Sequence, residues 1–247
     1  MKLSVTQPYF FPYLGIFQLI YHTDFMVILD MVKFKKQSWM IRNRILHQTN
    51  DFNYIKLPTK KYADYTLIKD VEIFDNINWK DKILALITLY ANKAPYYTEV
   101  RKLLEECFFI EEKSYCILST KFIEIICNYL EITFSYQYLS QMQLSLPKIN
   151  KAGEWSLHIA HALDAKEYVN MPSGSKIFAE DEFSKRNIKL SFLEPKLRKY
   201  EQKKDQFISH LSILDVLMWN SKEEVLSMIR NDFEIVTKND LLKEQNQ

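Results

Sequence analysis

The hydrophobic pattern opens with a short apolar run at residues 3–6 and stops at Pro8, which cannot donate to a ladder and pushes Gln7 toward an extended conformation. A strand is predicted there. Pro12 then fixes the backbone just ahead of Leu14, Phe17, Ile20 and Tyr21, which recur at helical spacing. The run Phe25-Met26-Val27-Ile28-Leu29, closed by Asp30, reads as a second buried strand ending in an acid. Strand, helix and strand make a right-handed parallel unit. Residues 39–45, 53–57 and 69–73 read as further strands, with a polar turn around 58–64.

From Asn78 the period lengthens. Ile83, Leu84, Ile87 and Tyr90 mark one helix stripe, and a helix from Pro95 carries Val100, Leu103, Leu104 and Cys107. A third, capped by Ser114, turns Leu118, Phe122, Ile126 and Tyr129 inward. Strands return at 132–138 and 188–192, and a polar loop at 144–153 precedes a helix bearing His158, His161 and Asp164. Ser209-His210-Leu211-Ser212-Ile213-Leu214-Asp215 opens an amphipathic helix, with Ser209 or Ser212 as cap. The expected fold is α/β, one domain over residues 1–247 with a mostly parallel sheet flanked by helices. One continuous core and a helical insertion at roughly 78–131 complete it.

Composition narrows the function classes. Thirty-three basic against 31 acidic residues leave a formal charge of +2, too little to argue globally for nucleic acid or an anionic membrane as partner, so local charge matters more. No apolar run reaches membrane-spanning length, and the first seven residues are too quickly interrupted for a secretory signal. Cys107, Cys116 and Cys127 fit reduced, buried thiols, which points to the cytoplasm. Glycine occurs only at positions 15, 153 and 174, excluding a glycine-rich loop of the dinucleotide or P-loop kind. No cofactor is called for.

Candidate chemistry gathers at four places. A helix amino terminus beyond a strand's carboxyl end suits a phosphate or carboxylate, with Gln7 and Tyr9 the nearest polar groups; a buried aromatic connection without ligand is the alternative. Residues 31–50 hold Lys33, Lys35, Lys36, Arg42, Arg44 and His47 and no acid. If 39–45 is extended, Met40, Arg42 and Arg44 share one face and Trp39, Ile41, Asn43 and Ile45 the other. Guanidinium groups spaced roughly 7 Å apart on a strand face clamp a diphosphate, or else form a basic edge that deters aggregation. Ser173, Gly174 and Lys176 read either as an anion-holding turn or as a plain strand–turn–helix joint. His210, between hydroxyls and near Asp215, is a general base or a capping histidine. His158 and His161 share a helix face, but a third metal ligand is not evident, so no metal site is assigned.

Gln7-Pro8-Tyr9-Phe10-Phe11-Pro12-Tyr13-Leu14-Gly15, Gln37-Ser38-Trp39-Met40-Ile41-Arg42-Asn43-Arg44-Ile45, Ala94-Pro95-Tyr96 and His210-Leu211-Ser212-Ile213-Leu214-Asp215 together resemble the WbqC-like family over nearly the whole chain. The resemblance implies a bacterial protein that accompanies enzymes making nucleotide-linked amino sugars for O-antigen and other surface polysaccharides. It implies an enzyme transferring an acyl or aminoacyl group to the amine of a dTDP- or UDP-linked sugar. The donor would be a thioester or ride on an acyl or peptidyl carrier protein. In that reading His210 is the base, oriented by Asp215 or a nearby acid. Gln7 and Asn43 polarise or position, Arg42, Arg44 and Lys36 hold the diphosphate, and Tyr9, Asp30 and Trp39 complete the substrate contacts. The first strand, loop and helix are also similar to those of nucleotidylyltransferases and pantothenate synthetase. Their H-x-G-H is here Tyr13-Leu14-Gly15-Ile16, without either histidine.

Overall fold

The computed structural model describes residues 1–35, 38–49 and 51–244, the side chains at 242 and 244 excepted. Its strands are β1 (Lys2–Thr6), β2 (Phe25–Ile28), β3 (Arg42–Leu46), β4 (Phe52–Lys56), β5 (Tyr136–Tyr138), β6 (Glu167–Asn170), β7 (Lys189–Pro195) and β8 (Phe233–Val236). The helices are α1 (Leu14–His22), α2 (Trp79–Ile87), α3 (Tyr97–Phe109), α4 (Tyr115–Tyr129), α5 (Ala152–Ala162), α6 (Glu180–Ser184), α7 (Ile213–Trp219), α8 (Lys222–Asn231) and α9 (Lys238–Glu244).

Six strands form one sheet in the order β5-β2-β1-β6-β7-β8, parallel except for β8, which runs antiparallel to β7. Register follows the apolar pattern: Leu3 lies opposite Phe25 and Val5 opposite Val27. One face presents Leu3, Val5, Val27, Tyr168, Leu190 and Phe192 to residues of α5, α6 and α9. The other sends Met26, Ile28, Val169 and Leu193 toward α1, α8 and the aromatic loop. The expected single core is therefore two clusters with the sheet between them, because a parallel sheet covered on both faces must bury both sets of alternating side chains.

The antiparallel pair β3–β4 stands apart as its own two-stranded sheet. The helical insertion follows β4, and Ser114 caps α4 by accepting from the Ile117 amide. The helix expected from Pro95 starts two residues later, at Tyr97. Two expected strands differ. Residues 69–73 hold a 3-10 turn, Ile68–Asp70, and then make single bridges from Ile73 to Thr59 and from Glu72 to Ser114. Their backbone groups bond several separate neighbours, with Ile73 N donating to Lys113 O, Val71 O accepting from Tyr115 N and Glu72 O accepting from Lys60 N, so no ladder builds up. The strand at 132–138 shortens to β5, since Phe134 and Tyr136 stack on each other and pairing with β2 begins only at Tyr136.

Candidate functional site

The order of strands switches at β1, which pairs in parallel with β2 on one side and with β6 on the other. Outside the carboxyl ends of such a pair an open parallel sheet leaves a crevice. A cavity of about 250 Å³ lies there. The loop after β1 supplies Tyr9 and Tyr13, the segment after β6 supplies Met171 and Ser173, and β3 leans in with Asn43 and Arg44. Trp39 and His210 complete the wall.

The loop after β1 is held by hydrogen bonds to several of its backbone groups. Pro8 O accepts from the Tyr115 hydroxyl at 2.8 Å, and Phe10 N donates to Met40 O at 2.8 Å. Phe11 O accepts from Asn43 Nδ2 at 2.7 Å and Ser212 Oγ at 2.8 Å, and Pro12 O accepts from Ile213 N at 2.8 Å. Phe11 is buried and stacks on Phe122 with centroids 4.9 Å apart. This fixing lets Phe11 keep φ at 42°, a left-handed value rare for an aromatic residue. His210 has φ 55°, so both segments that close the cavity carry a strained non-glycine residue. The ring of Tyr13 lies over Gly15, where a Cβ would come within 2.5 Å of it.

Arg42 and Arg44 do share the outer face of β3, as alternation requires, and Asn43 and Ile45 are buried beneath. Trp39 corrects the expectation. Residues 39 and 40 form a turn rather than a strand, so the indole swings onto the arginine face and Met40 turns inward. The Trp39 ring lies 5.7 Å from the Arg42 guanidinium and 5.4 Å from that of Arg44. Tyr54 covers Arg42 at 4.6 Å and Phe52 covers Arg44 at 4.9 Å, giving a ladder of rings and cations with Trp39 half exposed. Arg44 reaches the cavity and donates Nη2 to the carbonyls of Ser209 and His210, at 3.3 and 3.1 Å, while its buried Nε has no partner among the described residues. Arg42 stays on the outer rungs, outside the cavity wall.

His210 Nδ1 lies 2.9 Å from Ser209 Oγ, and its ring is 6.0 Å from that of Tyr13. Partial burial and the Arg44 cation hold its pKa below the ordinary imidazole value. With Nδ1–H given to Ser209, Nε2 is the basic nitrogen. The expected orienting role of Asp215 does not hold: its carboxylate is fully buried and accepts from Tyr90 and Tyr200 hydroxyls, each at 2.6 Å. Gln202 Nε2 approaches it at 3.4 Å. Tyr90 in turn accepts from Leu46 N at 2.9 Å, so Asp215 ties β3 to the segment that leads into His210. Burial raises its pKa to about 6.

The other expected residues separate. Asp30 is buried, and its carboxylate accepts from the amide and hydroxyl of Ser140, pinning the turn after β5 to the end of β2. Gln7 is half-buried beyond β1 and outside the cavity wall. Residues Pro172–Ile177 make a 3-10 turn instead of opening an α-helix. Ser173 reaches the cavity, Lys176 points to solvent, and the Gly174 amide donates to Met171 O at 3.0 Å. Gly174 is there for packing, since a Cβ would lie 3.0 Å from the Phe178 ring. Lys36 lies outside the described residues, as does Gln37 of the second motif. His158 and His161 sit on α5, and no group of three metal-ligating side chains occurs among the described residues.

The pattern missed Tyr13, Ile16, Met171 and Ser209. Two of them left a signal: Tyr13 follows Pro12 and stands at the N-cap of α1 without a capping side chain, and Ser209 is the hydroxyl directly before His210. Burial and the neighbouring Tyr9 raise the Tyr13 pKa, and burial raises that of Tyr9, so both hydroxyls stay protonated donors near neutral pH. No helix of the described residues is long and apolar enough to cross a membrane.

A Mycobacterium tuberculosis protein described as uncharacterized protein Rv1507c is 23% identical over 218 residues, spanning 87% of this chain and 92% of its own length. No solved structure gives a significant match. The WbqC-like protein family model matches residues 7–227, which takes in the aromatic loop, the arginine strand, Ser173 and His210, and the chain belongs to that family.

Proposed function

We propose that the chain is an enzyme that transfers an acyl or aminoacyl group to the amine of a nucleotide-linked amino sugar. One observation carries this: an imidazole whose pKa is held below its ordinary value, with no Nε2 partner among the described residues, faces the same small cavity as an arginine and two protonated phenols. Aminolysis of a thioester needs a base for the amine proton and donors for the tetrahedral oxyanion. The amine nitrogen attacks the carbonyl carbon, the C–N bond forms, and the C–S bond breaks. His210 Nε2 takes the amine proton and returns it to the departing thiolate, while Tyr9 or Tyr13 donates to the oxyanion.

The cavity is smaller than the pockets that enclose whole drug-sized ligands. It takes the sugar end. The diphosphate then meets Arg44 and the uncapped start of α1, and the base has Trp39 to stack on. In this reading Arg42 lengthens the cationic ladder and Asn43 positions the loop and Arg44 backbone. O-antigen or another surface polysaccharide is the destination of the product, and the donor is a free thioester or one held on a carrier protein.

A second reading has its own observation. His210 is brought beside Tyr13, close to where the first histidine of H-x-G-H would sit, so nucleotidyl transfer from a triphosphate is the competing reaction. Calorimetric titration with dTDP- and UDP-linked amino sugars, against ATP with Mg²⁺, separates the two. Saturable binding of an amino-sugar nucleotide that weakens at least tenfold in Arg44→Ala is expected. Binding of ATP with Mg²⁺ alone, with pyrophosphate release, would replace transfer of an acyl group by nucleotidyl transfer.

A further inference from the structure

A larger depression lies farther along the β3–β4 hairpin, between β4, the 58–64 turn and α2. It encloses about 1060 Å³. Lys33, Lys35, Lys56, Lys60, Lys61 and Lys82 line it, against a single acid, Asp64. Lys60 pairs with Glu72, while the other five have no carboxylate partner among the described residues. The chain as a whole carries only +2, so this is a local concentration of charge and not a general basic surface.

The floor is aromatic. Phe34 and Tyr62 meet edge to face at 4.9 Å, and Trp79 lies beside them in the wall. The Tyr62 hydroxyl lies at this floor, shielded from solvent and without a hydrogen-bond partner among the described residues, so a small shift of the ring would bring an unsatisfied donor to the groove. A bound anion lowers the mutual repulsion of the five ammonium groups. A concave, ring-floored site with that rim fits a compact polyanion carrying a flat ring, and the volume suits a small molecule.

We propose that this groove is a second ligand site, which takes the phosphate-rich nucleotide handle of a small molecule. Resting on the acyl-transfer reading, it is the donor's site, and the cavity with His210 is the acceptor's. Tyr54 lines the groove and also covers Arg42 in the cation ladder, so the two sites adjoin across one strand pair.

The test is calorimetric titration of the full chain with coenzyme A, with ATP and with pyrophosphate, for wild type, Arg44→Ala and the charge reversal Lys61→Glu/Lys82→Glu. Coenzyme A or ATP is expected to bind wild type and Arg44→Ala equally, and to lose at least tenfold in the double variant, whose melting temperature stays near wild type. Pyrophosphate, lacking the ring, binds more weakly. Stronger coenzyme A than ATP binding assigns the handle to a thioester carrier; the reverse assigns it to a nucleoside polyphosphate. Wild-type affinity in the folded double variant, competition between coenzyme A and an amino-sugar nucleotide for one site, or no saturable binding of any probe would each overturn the proposal. Failure of the acceptor reading shows separately, as amino-sugar nucleotide binding unchanged by Arg44→Ala.

Discussion

In the sheet, backbone pairing places the side chains: β1 sets Leu3 against Phe25 on one side and Tyr168 on the other, and alternation does the rest. Around the cavity the dependence is reversed, and side chains place the backbone. Asn43 and Ser212 together hold Phe11 O, Tyr115 holds Pro8 O, and Asp215 holds two tyrosines that anchor β3 and the 200–208 segment. The first arrangement tolerates change in single side chains. The second concentrates its order in a few polar groups, which also lets it keep Phe11 and His210 at positive φ. The sheet provides a place, and the layer leaning on its carboxyl edge provides the chemistry.

The largest effect that would break this division belongs to His210. His210→Asn keeps a residue that tolerates positive φ and removes the base. Turnover is expected to fall by about 10²- to 10⁴-fold, with unfolding free energy within ~0.5 kcal/mol of wild type. Full activity in a folded His210→Asn protein would return the histidine to a structural role.

Asp215 comes next, and its effect depends on pH. Its folded pKa of about 6 stands above the ordinary 3.8. The folded state thus holds a proton that the unfolded chain releases, and stability falls as pH rises from about 4 through about 6. The loss amounts to ~3 kcal/mol and is complete by about pH 7. Asp215→Asn cannot titrate. Urea unfolding from pH 4 to 7 should show the variant gaining on wild type by about that amount, and parallel curves would mean that the buried carboxylate is not strained by its surroundings.

Asn43→Ala removes one of the two donors to Phe11 O and the acceptor for the Arg44 amide. A cost of ~1–3 kcal/mol is expected, because the Arg44 N–H is left unpaired where it is part-buried. A matched truncation of an exposed residue on the sheet's edge, Glu234→Ala, should stay within ~0.5 kcal/mol. Equal costs in the two variants would erase the contrast between the regions.

These dependencies also explain what the amino-acid pattern could reveal. Pro8 and Pro12 bound their loop, Ser114 capped its helix, and Arg42 and Arg44 shared a face, because each rests on rules that act within a few residues. The mostly parallel sheet followed from alternation of strand and helix, yet its order, with β6 beside β1, depends on pairings more than 160 residues apart. Asp215 looked like a partner of His210 from five positions away, and its true partner Tyr90 is 125 residues distant. Trp39 was assigned to the wrong face because a turn at residues 39 and 40, where Met40 O accepts from Phe10 N, delays the start of the strand to Arg42. Local chemistry identifies candidate groups, and tertiary hydrogen bonds decide which of them meet.

The finest test of the contrast is Gly15→Ala. A Cβ at position 15 would lie 2.5 Å from Tyr13 Cε2 and 2.8 Å from Cζ, so the phenol must move. Alanine is the better helix former by ~1 kcal/mol, which offsets the displaced ring and leaves stability within about 1 kcal/mol of wild type. Tyr13 is the wall between the cavity at the switch of strand order and a second void of about 40 Å³ against Tyr200 and Phe207. That smaller void has no room for a phenol, so the ring shifts into the larger cavity. Amino-sugar nucleotide affinity should then drop several-fold while coenzyme A or ATP binding at the lysine groove is unchanged. Because the substitution presses only on the Tyr13 phenol, a loss of both affinities would show that the loop, and not the ring alone, had moved.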